Sequence, residues 1–116
     1  MGRVNRRKEG SFYERRAGDY LTGQGLTLVE FNFSCRLGEI DLVAREGACL
    51  VFVEVKYRRS RRFGLPEEAV GPSKMRTIRK VADYYCLTHG ICQTTPVRFD
   101  LVAIEGEEIR HYRGAF

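Results

Sequence analysis

Two alternating stretches, "EIDLVAR" (Glu39–Arg45) and "VFVEVKYR" (Val51–Arg58), constrain this chain more than any other feature. Side chains on a strand point to opposite faces in turn, so each stretch has two distinct sides. In the first, Ile40, Leu42 and Ala44 share one side, and Glu39, Asp41 and Val43 share the other. In the second, Val51, Val53, Val55 and Tyr57 oppose Phe52, Glu54, Lys56 and Arg58. Gly47 and Ala48 lie between them as the central pair of a hairpin, and Gly in the first central position suits a type II′ turn. Glu46 then faces Cys49, and counting back sets Asp41 opposite Glu54, with Cβ atoms roughly 4.5–5.5 Å apart. Lys56 follows two residues later on the same side.

Charged residues are rarely buried without a partner, a metal or a job. Facing carboxylates raise each other's cost of ionising unless a cation sits between them. Carboxylate oxygens are hard ligands suited to Mg²⁺ or Mn²⁺. A metal there polarises a phosphate and lowers the pKa of a bound water, while a nearby ammonium stabilises developing charge. Asp41, then Glu54 and Lys56 as E-x-K on the next strand, is the pattern of the PD-(D/E)xK nucleases, with Ile40 where the motif's name has Pro. The plainer reading is a structural ion pair on a wet face.

Around this hairpin the chain reads as αβββαββ, one α/β domain over residues 1–116 with a mixed sheet of about five strands flanked by helices. Lys8–Gly23 carries Tyr13, Ala17, Tyr20 and Leu21 at helical spacing, and Gly23 can end it. Leu26–Phe33 is a strand by composition. "RRSRRFGLPEEAVG" is a loop with one helical turn near Pro66 to Val70. Gly71, Pro72 and Ser73 open a second helix with Met75, Ile78, Val81, Ala82, Tyr85 and Cys86 on its apolar face, ending near Gly90. "VRFDLVAI" and "EEIRHYR" are the final strands, turning at Glu105–Glu107.

A length of 116 residues fits one domain, and 43% hydrophobic with 30% charged residues is ordinary globular composition. A net charge of +5 and a pI near 9.2 lean towards an anionic partner such as nucleic acid. "MGRVNRRKEG" lacks an apolar stretch behind its charges, and Arg6 stands where a myristoylation signal needs Ser or Thr. Cys35, Cys49, Cys86 and Cys92 form no CxxC pair. The expectation is a cytoplasmic protein with reduced thiols and no membrane span. Cys86, His89 and Cys92 at three-residue spacing tempt a zinc assignment but lack a paired fourth ligand. Asp100, opposite the core side of Phe99, Leu101 and Ala103, reads as a solvated or paired acid.

"GEIDLVA", "VFVEVKYR", "FGLPEEAVGPSKMRTIRKVADYY" and "VRFDLVAI" together closely resemble the YraN-like family of uncharacterised bacterial proteins. Gly10, Glu14, Ala17 and Leu21 match its first helix, and Asn32 its characteristic Asn after the first strand. The resemblance covers about Gly10 to Phe116. It implies a restriction-endonuclease-like fold similar to archaeal Holliday-junction resolvases. It also implies that Glu14 approaches the metal and that the backbone carbonyl of Val55 is a ligand. Glu14 paired with Arg15 or Arg16 is the alternative. Glu39 reads as an outer support for the site or a charge at the strand start. By analogy with resolvase-like relatives, the resemblance admits a homodimer.

"KYRRSRR", Lys56–Arg62, leaves the strand that carries Glu54 and Lys56, so Arg58, Arg59, Arg61 and Arg62 could lead a phosphate backbone to the metal. Arg76, Arg79 and Lys80 on the second helix read as a solvated face, with Lys74 near its start. The expected activity is metal-dependent cleavage of DNA, branched or otherwise structured. The alternative is a non-catalytic nucleic-acid-binding or adaptor protein in DNA processing.

Overall fold

The structure is a computed structural model that describes residues 2–116, with the side chains of residues 2–11 and Phe63 left aside. Helix α1 spans Gly2–Gly23. Strands β1 (Thr27–Cys35), β2 (Gly38–Glu46) and β3 (Cys49–Arg58) follow. Two 3-10 turns, Arg61–Phe63 and Pro66–Ala69, lead into α2 (Pro72–Thr88), then β4 (Val97–Glu105) and β5 (Glu108–Tyr112). The element order is the expected one, although α1 begins six residues before Lys8. No helix among the described residues is long and apolar enough to cross a membrane.

The five strands form one mixed sheet in the order β1-β2-β3-β4-β5. All neighbours are antiparallel except β3 and β4, which run parallel and are joined through α2. In the β2–β3 hairpin Glu46 pairs with Cys49, and Gly47 has φ 59°, the positive value that a tight two-residue turn demands. The register is the one counted from the sequence as far back as Leu42 opposite Val53, and the expected Asp41–Glu54 pair of the ladder does not form.

Alternation along the central strands feeds two apolar layers. Val51 and Val53 pack with Ala17 and Leu21 of α1, together with Leu42, Ala44, Val102 and Ile104. Leu50 and Phe52 pack with Ile78, Val81, Ala82 and Tyr85 of α2. The helices thus cover opposite faces of the sheet. Leu50 to Val53 are buried on both sides, which explains why that run is apolar throughout. Gly18 lets α1 lie close on β1, since a Cβ there would sit 2.9 Å from Leu28 Cδ1 and 3.1 Å from Phe31 Cζ. That approach brings Glu14, one helical turn before Gly18, over the ends of β2 and β3.

The sequence reading placed Ile40 with Leu42 and Ala44, and the structure corrects it. Ile40 packs in the α2 layer beside Val43, while Leu42 packs in the α1 layer. The partner strand changes sides at the same level. Phe31, opposite Leu42, reaches Gly18 of α1, whereas Phe33, opposite Ile40, stacks edge-on against Tyr85 of α2. Between them Asn32 has φ 54°, the positive value of the left-handed region that a non-glycine residue seldom adopts. Asn tolerates this conformation better than most, so one residue inverts the alternation opposite Asp41.

Candidate metal centre

Beyond Leu42 and Val53 the β2–β3 pairing stops, while β3 continues beside β4 as far as Arg58 opposite Glu105. Asp41 stands where the two strands part. Its Oδ2 accepts the N–H of Val55 at 2.8 Å, so a side chain replaces the missing ladder partner. The reversal at Asn32 and Ile40 turns this part of β2 towards α1. There one carboxylate oxygen each from Glu14, Glu39 and Asp41 lies within 4.8 Å of the others. On its other side Asp41 adjoins Glu54, and that carboxyl disfavours ionisation of Asp41.

Glu54 is 3% exposed, and no N–H or hydroxyl donates to its Oε2. Among the described residues it forms an ion pair with Lys74 of α2, whose Nζ lies 3.5 Å from that oxygen. Burying a carboxylate with so little compensation is costly. The cost appears in the neighbours' affinities for protons. Burial, reinforced by the hydrogen bond and negative charge of Glu54, pushes the Asp41 carboxyl up to about 8. The Val55 N–H and the positive charge of Lys56 pull it down without restoring an ordinary value. Burial, and then the charge of Asp41, likewise lifts Glu14 to about 7, against a lowering hydrogen bond from Asn32. Burial leads both shifts, nearby negative charge adds to them, and positive charge at the cluster would oppose them.

A divalent cation would supply that charge. The clustered donors of Glu14, Glu39 and Asp41 are carboxylate oxygens, with Glu54 a further carboxyl beside Asp41, and this chemistry suits Mg²⁺ or Mn²⁺ rather than a thiolate-seeking metal. The orphaned oxygen of Glu54 is the group such an ion would satisfy. The zinc alternative fails among the described residues. His89 Nδ1 lies 2.9 Å from the Tyr85 carbonyl, and Cys92 Sγ pairs with Thr94 Oγ1 at 3.1 Å.

The sequence-predicted residues thus meet, though not all as expected. Asp41, Glu54 and Lys56 converge, with Val51, Val53 and Val55 in or against the α1 layer. Val55 reaches Asp41 through its N–H. Glu39, expected as an outer support, contributes an oxygen to the cluster itself. Among the described residues no hydrogen bond or ion pair forms on Lys56, and beside it Tyr57 stacks on Tyr13 of α1 at 3.6 Å. Asn32 and Lys74 were not assigned to the site. The signals for Asn32 were a polar residue inside the apolar run of β1 and its match to the characteristic Asn of the resembled family.

The arginine run is partly committed elsewhere. Arg61 Nε lies 2.6 Å from Glu105 Oε2, and Arg58 Nη1 donates to the Tyr57 carbonyl. Arg59, Arg61 and Arg62 are exposed, and Arg58 is half-buried. Of the two readings of Asp100, solvated or paired, the paired one holds, and the residue is fully buried. It accepts from Arg98 at 2.8 and 2.9 Å, from the Gly114 N–H at 3.0 Å, and pairs with His111 Nε2 at 2.8 Å. This network ties the C-terminal residues to β4 and takes no part in the acidic cluster.

Residues 13–104 match the family described as Uncharacterised protein family UPF0102. A UPF0102 protein of Lachnoclostridium phytofermentans is 48% identical over 113 residues, covering 97% of this chain and 96% of that protein. A UPF0102 protein of Alkalilimnicola ehrlichii is 43% identical over 107 residues, covering 92% and 85%. One of Thermodesulfovibrio yellowstonii is 40% identical over 116 residues, covering 100% and 99%.

Proposed function

The chain belongs to the uncharacterised protein family UPF0102, and from the geometry of its acidic cluster we propose that it is a divalent-metal-dependent endonuclease of the PD-(D/E)xK type acting on DNA. On this reading the five-stranded mixed sheet with a helix on each face is a restriction-endonuclease-like fold, and the substrate is branched or otherwise structured DNA. The observation that carries the reading is the buried, donor-less Oε2 of Glu54 beside an Asp41 carboxyl that cannot ionise cheaply.

Glu14, Glu39, Asp41 and Glu54 would hold Mg²⁺ or Mn²⁺, with the Val55 carbonyl as a backbone ligand. When bound, the ion supplies charge for the phosphate oxygens and a bound water of lowered pKa. The Val55 N–H fixes the Asp41 carboxylate in place. Lys56, on the strand of Glu54, donates to a non-bridging phosphate oxygen and stabilises charge that develops there. Glu14, steadied by Asn32, supports the cation or orients the attacking water. The exposed arginines after β3 draw in the backbone without reading sequence.

Thermal melts with and without Mg²⁺ or Mn²⁺, beside a cleavage screen over linear, flap, single-stranded and four-way-junction DNA, test this. At 100 times its Kd a metal stabilises by about 2.7 kcal/mol. For a chain of this length that is roughly 10 °C in Tm. Lys56→Ala should keep the metal shift and lower cleavage about 10²–10³-fold. No shift and no cleavage would return the chain to the nucleic-acid-binding or adaptor alternative.

A further inference from the structure

Lys74 is oddly placed for a helix residue. It is the third residue of α2, whose first turn contains no acidic side chain. A cation there opposes the partial positive charge of a helix N-terminus and weakens the helix slightly. No capping side chain compensates, since the N-cap is Gly71. What Lys74 does meet is the buried oxygen of Glu54, 3.5 Å from Nζ, across the crossover from β3 to α2. Its side chain is 43% exposed, so the ammonium can leave for solvent by rotating its stem, whereas Glu54 at 3% exposed cannot.

Resting on the metal reading above, we infer that Lys74 is the exchangeable counter-ion of the site: its ammonium occupies the Glu54 carboxylate until a divalent cation displaces it. A cation and an ammonium cannot both be closest to one carboxylate oxygen without repelling each other. Lys74 therefore lets the acidic centre fold without metal and raises the metal concentration needed to load it. It acts through Glu54, as a positioning residue. This separates the two lysines: Lys56 serves the phosphate, and Lys74 sets the threshold for the cation.

The test is calorimetric titration of Mn²⁺ alone, at pH 8, into the full chain and into Lys74→Met and Lys74→Arg, with melts of each metal-free protein. Lys74→Met should bind Mn²⁺ about 3–10-fold more tightly, the scale of removing one competing ion pair. Its metal-free form should melt below the parent, because Glu54 loses the ammonium of Lys74. Lys74→Arg keeps the charge and should bind as the parent does. A merely structural Lys74 would give Lys74→Met unchanged or weaker binding, and either result overturns the inference while leaving the metal reading intact. Absence of Mn²⁺ binding in all three proteins overturns both.

Discussion

Raising the pH of the metal-free protein from about 5.5 to 7.5 should make it melt at lower temperature. The folded state holds the Asp41 proton up to about 8 and the Glu14 proton up to about 7, against ordinary values of 3.8 and 4.5. Between those limits the native chain binds more protons than the unfolded one, so stability is greatest at the acid end and is lost as pH rises through the folded values. One proton held only by the folded state corresponds to about 1.4 kcal/mol per pH unit. For Asp41 alone, two pH units give a ceiling of about 2.7 kcal/mol. Glu14 adds less, because it is half-exposed and water screens it. A loss of about 1–3 kcal/mol corresponds to a fall of roughly 4–12 °C.

Carboxyls with lowered values do not confuse the window. Asp100 and Glu67, both at about 2, and Glu46 and Glu105, also lowered, contribute stability that is lost only as pH falls through their folded values. The assay is a series of thermal melts in chelator across the window for the parent and Asp41→Asn. The substitution removes the main proton site, so its Tm should be nearly level and should exceed the parent's at the alkaline end. Comparing the two also cancels whatever the histidines contribute. A parent Tm that stays level or climbs from pH 5.5 to 7.5, in step with Asp41→Asn, would refute the claim that this cluster is short of positive charge.

Replacing Arg58, Arg59, Arg61 and Arg62 together with Ala should weaken DNA binding for every sequence tested. Since Arg61 is committed to Glu105 and Arg58 is half-buried, the slope of log K against log salt should fall by only about two, as measured by fluorescence anisotropy. Asp100→Ala leaves His111 without its buried partner and takes one of two carboxylates from Arg98, which keeps Glu46, so it should cost about 1–3 kcal/mol by urea denaturation, with no change in Mn²⁺ affinity for the protein that remains folded. Asn32→Gly keeps the positive φ and should cost little stability, whereas Asn32→Val should cost about 1–3 kcal/mol; equal urea midpoints would show that the reversal in β1 is not held at this residue.

Local periodicity and turn chemistry were enough to place the hairpin and the buried helix faces. Alternation on either side of Gly47-Ala48 set Glu46 against Cys49 and Leu42 against Val53, which carries Asp41 and Glu54 to the place where the two strands part. Likewise the helical stripes of Ala17 and Leu21 and of Ile78, Val81, Ala82 and Tyr85 did become the faces buried against the sheet. Only the tertiary structure decided what lies across from those elements. A period-two pattern assumes an unbroken pleat, so it put Ile40 beside Leu42. The left-handed Asn32 on the neighbouring strand breaks that pleat, and a pairing partner is a long-range fact. The same break gathers Glu39 with Glu14, which lies on another element 25 residues earlier in the chain. Lys74 reaches Glu54 only because the parallel crossover folds α2 back over β3. Asp100 has the alternation of a solvated strand residue, yet Arg98, His111 and Gly114 close around it. Charge partners found through space leave no period in the sequence, because the chain between them can be of any length.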